Sequence, residues 1–255
     1  MPIPFIDIFA GPGGLGEGFS SLKYKGSHVF KPVLSIEKEK RAHETLLLRS
    51  FYRQFLHAGR KIPQAYFKYL HGKLTKDDLF DSNPKESAKA IKEAQCIELG
   101  GKGRQNSFEH VDDLIQEALN GKDFWVLLGG PPCQAYSLAG RSRMGGIKEN
   151  DPRVNLYKHY LRILAFHRPA VFVFENVRGL ASSKLKDREI FEDILQSLKT
   201  PSHYLSEDSI LKLPSDKKSF SYKLFGFAPS DTQENLNSDN FNNYLIKTEN
   251  FGIPQ

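Results

Sequence analysis

Four short apolar runs punctuate the chain: Phe5-Ile6-Asp7-Ile8-Phe9, Val33-Leu34-Ser35-Ile36-Glu37, Trp125-Val126-Leu127-Leu128 and Ala170-Val171-Phe172-Val173-Phe174. Runs of about four to eight apolar residues bounded by glycine, proline or acids read as buried strands. Helical spacing fills the intervals. It runs over Glu44 through Phe55 with Leu47, Leu48, Phe51 and Phe55 near one face, and over Val111 to Leu119 with Gly121 as a stop. It continues from Asp151-Pro152-Arg153 through Leu164 with Leu156, Tyr160 and Leu164, and from Arg188 through Leu198 with Ile190, Phe191, Ile194, Leu195 and Leu198 inward. Strands alternating with helices predict an α/β chain with a mostly parallel central sheet and helices on both faces. The pattern breaks up from about 57 to 106, and from about 200 to 244 it turns polar, so insertions are expected at both places.

The first strand leads into Ala10-Gly11-Pro12-Gly13-Gly14-Leu15-Gly16. Gly11, Gly13 and Gly16 satisfy G-x-G-x-x-G between a strand and a helix, where glycine allows a tight turn and lets a cofactor lie on bare backbone. The pattern alone is equally compatible with a plain turn. Glu37 lies about twenty residues further on, the spacing of a carboxylate that holds ribose hydroxyls. Its alternative is a solvated acid in the run Glu37-Lys38-Glu39-Lys40-Arg41. Strand, glycine turn and acid admit either a nicotinamide dinucleotide or S-adenosylmethionine. Gly100-Gly101-Lys102-Gly103 lacks the strand–helix setting and the Ser or Thr of a phosphate loop.

The 255 residues suffice for one large α/β domain, and 39% hydrophobic residues suffice for its core. No apolar run approaches a membrane span, no signal-peptide pattern opens the chain, and two cysteines make no disulfide framework. A cytoplasmic protein without a membrane partner is expected, and no metal. The net charge of +6 permits a polyanionic partner without requiring one. Tyr66-Phe67-x-Tyr69 beside Lys68, Lys73 and Lys76 could meet nucleic acid, and packing of the aromatics on the domain is the commoner arrangement.

The third run ends in Gly129-Gly130-Pro131-Pro132-Cys133-Gln134-Ala135-Tyr136-Ser137. Two prolines stiffen a loop that lifts a cysteine beyond a central strand, where open α/β sheets place ligands. A packed cysteine would not need so specialised a loop. The segment after it, through Gly140, Arg141, Arg143 and Gly145-Gly146, is basic and glycine-rich, as a loop meeting phosphates would be. The fourth run ends in Glu175-Asn176-Val177, a carboxylate at the same edge of the same sheet.

Pro131-Pro132-Cys133-Gln134 resembles the nucleophile motif of the cytosine-C5 methyltransferases, and its continuation through Tyr136, Ser137 and Gly140-Arg141 resembles the DNA-acting branch. Glu175-Asn176-Val177 is similar to that family's second catalytic motif. Phe9-Ala10-Gly11-x-Gly13-Gly14 is similar to its methyl-donor motif, and Phe251-Gly252-Ile253-Pro254-Gln255 to a later segment.

The resemblance implies an S-adenosylmethionine-dependent methyltransferase (Rossmann-like) fold and a DNA (cytosine-5-)-methyltransferase of the restriction-modification kind. It implies Cys133, Glu175 and Asn176 as catalytic, with Phe9, Ala10, Gly11, Gly13, Gly14, Leu15, Glu37, Pro132 and Leu156 at the cofactor. Gln134, Ser137, Arg141 and Arg143 would meet double-stranded DNA. The family's residue for the donor's adenine has Glu98 and Asp112 as candidates. The family continues past its Pro-Gln with arginines, a target-recognition region and two further motifs. Residues 1–255 therefore read as an incomplete catalytic domain, either one half of a split enzyme, a truncated product or a fragment, expected to need a missing C-terminal half or partner subunit and to be weakly active or inactive alone. A tRNA cytosine methyltransferase is the nearest alternative. A nicotinamide-dependent oxidoreductase and a non-catalytic DNA-binding homologue are more distant ones.

Overall fold

A computed structural model describes residues 1–131, 156–177, 184–185, 188–206, 220–227 and 241–252. The chain divides into two compact units, one of residues 1–131 and 169–175, the other of 132–168 and 176–255.

In the first unit, β1 (Ile3–Ile8) is followed by α1 (Gly14–Ser21) and a small antiparallel pair, β2 (Lys23–Tyr24) and β3 (Ser27–His28). Next come β4 (Phe30–Glu37), α2 (Lys40–His57), α3 (Gln64–Leu70), α4 (Lys76–Asp81), α5 (Pro84–Glu93) and β5 (Ala94–Cys96). The unit closes with α6 (Phe108–Leu119), β6 (Val126–Gly129) and, after the second unit's first helix, β7 (Val171–Phe174). Among the described residues the sheet runs β5-β4-β1-β6-β7, and each neighbouring pair is parallel. Phe5 and Ile6 point to opposite faces by strand alternation, and both are fully buried, so helices cover the sheet on both sides. This is the expected α/β fold of the Rossmann-like class. From β1 the chain builds outward to β4 and β5 on one side and later to β6 and β7 on the other. The crevice at that reversal, beyond the carboxyl ends of β1, β4 and β6, is where such sheets bind ligands.

Several elements differ from the sequence pattern. β4 begins at Phe30, three residues before the apolar run, and contains Pro32. Proline cannot donate to a ladder, and the register shift opposite it, between Phe5 and Ile6, absorbs the defect. α2 starts at Lys40 because the Glu39 side chain caps it, accepting from the Ala42 N–H at 2.7 Å. Leu47, Phe51 and Phe55 are buried as the spacing predicts, and Leu46 joins them, while Leu48 packs at the margin. The broken pattern between 57 and 106 holds three helices and β5. Tyr66, Leu79 and Ala90 turn inward onto α2.

The second unit contains α7 (Leu156–His167), β8 (Lys184–Leu185), β9 (Arg188–Glu189), α8 (Ile190–Lys199) and α9 (Pro201–Ser206). Ile194, Leu195 and Leu198 are buried as their spacing requires. The helix begins at Ile190, since Arg188 and Glu189 pair as β9. α9 is a helix inside a stretch whose composition suggested a polar excursion. Leu205 is fully buried, and the Tyr204 and Tyr157 hydroxyls meet at 2.7 Å. Among the described residues no helix is long and apolar enough to cross a membrane.

Candidate functional site

The turn after β1 reverses direction abruptly. Phe9 adopts φ 57°, a left-handed conformation that a bulky residue rarely takes. Its neighbours fix it there. The Ala10 N–H donates to the Ile36 carbonyl at 3.0 Å, and the Gly11 N–H donates to Glu37 Oε2 at 2.8 Å. The Gly13 N–H returns to the Ala10 carbonyl. Gly13 has φ 94°, and a Cβ there would lie 2.9 Å from Leu46 Cδ1. The turn is thus clamped between β4 and α2. At Gly11 and Gly14, by contrast, an added Cβ would meet nothing within 4 Å. Two stretches of bare backbone face open space.

Glu37 ends β4 beside them. Its Oε1 accepts the Glu39 N–H at 2.7 Å while Oε2 accepts Gly11. A carboxylate has about four acceptor positions, so these two bonds leave capacity for a pair of hydroxyls. The same contact uses the Gly11 amide and sets a negative group against the turn, which disfavours a phosphate there. Ala10 is buried, and Leu15 packs onto Phe5, Val126 and Leu128. Glu98 makes an exposed ion pair with Lys38 at 3.2 Å, and Asp112 is buried in α6.

Asp7 lies underneath, in β1. It is 1% exposed, and its Oδ2 has no hydrogen-bond partner among the described residues. A Cβ on Gly16 would sit 2.8 Å from that oxygen, so the first turn of α1 rests on the carboxyl. Burial raises the Asp7 pKa to about 7; Arg53 and the Gly16 amide pull it down, and Glu37 pushes it up. Arg53 is buried in α2 and ties Glu17 of α1 at 3.1 Å to Glu93 of α5 at 2.7 Å. Sequence reading noticed the lone acid of the first strand and gave it no role. Its period-2 placement between Phe5 and Phe9, on a covered face, was the available signal.

At the other side of the crevice the Glu175 N–H donates to the Gly129 carbonyl at 2.9 Å, extending the β6–β7 ladder by one residue. This carries its exposed side chain to the carboxyl edge, and a Cβ on Gly130 would lie 2.6 Å from Glu175 Oε2. Only a glycine lets the carboxyl rest there. Asn176 and Leu156 belong to the second unit. Asn176 Oδ1 accepts the Val177 N–H at 2.8 Å, closing a local turn, and Leu156 opens α7. Pro132, Cys133, Gln134, Ser137, Arg141 and Arg143 lie outside the described residues, as do the start of the helix expected from Asp151 and the last three residues of the Phe251–Gln255 segment.

Comparison with known proteins adds the following. The family model described as C-5 cytosine-specific DNA methylase matches residues 90–212. The type II methyltransferase M.Bpa9945I of Bacillus paralicheniformis is 33% identical over 205 residues, covering 75% of this chain and 44% of that protein. The DNA (cytosine-5-)-methyltransferase M.ApeKI of Aeropyrum pernix is 43% identical over 85 residues, 32% of this chain and 18% of that one. The solved structure of the Entamoeba histolytica methyltransferase EhMeth overlays with a TM-score of 0.39 at 19% identity, covering 78% of this chain and 43% of that chain. The chain spans less than half the length of these curated relatives.

Proposed function

Because the chain belongs to the C-5 cytosine-specific DNA methylase family, we propose that it moves a methyl group from S-adenosylmethionine to carbon 5 of cytosine in double-stranded DNA, through a temporary bond between Cys133 and carbon 6. The observation that carries this reading is the seat of the Glu175 carboxyl against Gly130. Gly130 lies three residues before Cys133, at the sheet edge where the β1 turn also opens.

Cytosine is a poor carbon nucleophile, and a thiolate changes that. Cys133 adds to C6, and the electron pair of the 5,6 double bond moves to C5. Glu175 holds N3 and the exocyclic amine, so that proton transfer to the ring offsets the growing charge. S-adenosylmethionine, when bound, supplies an electrophilic methyl group on a sulfonium that such a C5 can take. The C5 proton then passes to a water molecule acting as base, its bonding pair restores the 5,6 double bond, and Cys133 leaves as the thiolate. Asn176 shapes the loop that presents Glu175. The base is out of reach inside a duplex and must be turned out of the stack.

The cofactor's ribose hydroxyls would bind Glu37, and its uncharged remainder would lie along Phe9 and the backbone of Ala10, Gly11, Gly13 and Gly14. Leu15, Pro132 and Leu156 would add apolar contact. The Gly11–Glu37 bond favours this donor over a nicotinamide dinucleotide, whose pyrophosphate would meet a carboxylate instead of a free amide. Gln134, Ser137, Arg141 and Arg143 would grip the DNA. The aligned region covers 44% of M.Bpa9945I. In this reading residues 1–255, insertions included, belong to the catalytic part.

The test is to trap duplex DNA bearing 5-fluorocytosine on the full-length protein, with S-adenosylmethionine supplied. A covalent adduct that disappears in Cys133→Ser is expected. No adduct, or one that persists in that variant, refutes the proposal.

A further inference from the structure

The stretch from 58 to 76 contains Arg60, Lys61, Lys68, Lys73 and Lys76 and no Asp or Glu. These five form a local run of positive charge around one seven-residue helix, α3, followed by Asp77, Asp78 and Asp81 of α4.

Packing divides the helix sharply. Tyr66 is buried, with its ring 5.2 Å from that of Tyr52 and 6.4 Å from that of Phe51. The outward side shows Phe67 at 42% exposure and Leu70 at 54%. Lys61, Lys68 and Lys73 are exposed and join no ion pair among the described residues. Gly72, at φ 68°, closes the helix by returning the Lys73 N–H to the Lys68 carbonyl at 2.8 Å, which brings those two lysines to one end. Arg60 is different: it pairs with Glu86 at 2.6 Å and lies over the Phe55 ring.

Helix stability does not account for the arrangement. Lysines at the carboxyl end of α3 suit its dipole, but Lys61 precedes the amino end, where a cation is unfavourable. Exposed lysines outside any ion pair, beside half-exposed apolar side chains, are suited to a polyanion with an apolar component. The sugar–phosphate backbone of DNA has both.

We propose that the outer surface of α3, with Lys61, Lys68 and Lys73, is an auxiliary contact for the phosphate backbone of duplex DNA. This rests on the reading of the protein as a DNA methyltransferase. The surface positions the duplex and adds affinity without sequence choice. It lies outside the residues that the family model matches, 90–212.

The test compares the full-length wild-type protein against the triple variant Lys61→Ala/Lys68→Ala/Lys73→Ala. A control triple, Lys25→Ala/Lys85→Ala/Lys89→Ala, removes the same charge from exposed positions elsewhere. Binding of a duplex of about 40 base pairs is titrated against salt. Three lost phosphate contacts should lower the slope of log affinity against log salt by about 2 to 3, and weaken binding on the order of tenfold or more at low salt. Cofactor affinity and melting temperature should stay unchanged. Equal slopes for the two triples overturn the proposal, as does a wild type that sediments with anionic phospholipid vesicles while the variant keeps full DNA affinity. Failure to trap 5-fluorocytosine in a wild type that binds duplex in this manner would overturn the methylation reading and leave the surface intact.

Discussion

Asp7→Asn isolates the energetics under the β1 turn. Asp7 is 1% exposed, and burial carries its pKa from 3.8 to about 7. That change corresponds to about 4 kcal/mol against the charged form. The sign follows from the protons bound. Between about pH 4 and about pH 7 the folded chain keeps a proton that the unfolded chain releases, so stability falls as pH rises through this window. The contribution is fully present below about pH 4 and lost above about pH 7. Asparagine matches the protonated acid in shape and cannot ionise. The variant should therefore equal the wild type near pH 4 and exceed it by as much as about 4 kcal/mol near pH 8. Urea unfolding followed by fluorescence reports this cleanly, because Trp125 is the single tryptophan and is 1% exposed in the same unit. A difference that does not change with pH refutes the reasoning. A variant less stable than wild type at pH 8 would mean that attraction to Arg53 outweighs burial.

Glu37→Gln replaces one acceptor oxygen by a donor facing the Gly11 or Glu39 amide. Losing a charged hydrogen bond costs about 1.5–3 kcal/mol, so S-adenosylmethionine should bind roughly ten- to a hundredfold more weakly by calorimetry, with the fold retained. Gly130→Ala forces the Glu175 carboxyl from its place, since the new Cβ would lie 2.6 Å from Oε2. Trapping of 5-fluorocytosine DNA should slow by about a hundredfold or more while cofactor affinity holds, and an unchanged rate would remove Glu175 from the chemistry. Arg53→Ala leaves Glu93 buried without its partner and should cost about 3–5 kcal/mol in urea unfolding. A loss below about 1 kcal/mol would show that the Gln54 bond to Glu93 suffices.

Apolar runs are enough to read β1, β6 and β7 within a residue or two; β1 and β6 are largely buried on both faces, which leaves a continuous apolar signature, and β7 keeps the run although it is only half-buried. β5 escaped notice. Its three residues, Ala94-Gln95-Cys96, have no such run, and they become a strand only because the edge of β4 is there to pair with them. The first turn of α2 was hidden for a related reason. The charged run 37–41 carries no helical pattern, whereas Glu37 fastens the β1 turn and Glu39 caps the helix. Likewise Pro32 sits inside a strand that propensity would have ended before it, because the partner strand shifts register to admit it.

The sequence by itself determined the α/β alternation, the glycine turn after the first strand, and a set of motifs that named a chemistry. These are local properties, set by period, by backbone freedom and by the identity of reactive side chains. Only the tertiary structure decided which glycines serve packing and which leave bare backbone open, since that depends on Leu46 and Asp7 arriving from elsewhere in the chain. It also decided that Glu175 rests on Gly130 across two parallel strands, and that Lys61, Lys68 and Lys73 stand exposed around one short helix. Such facts live between residues distant in sequence, and no window along the chain contains both partners.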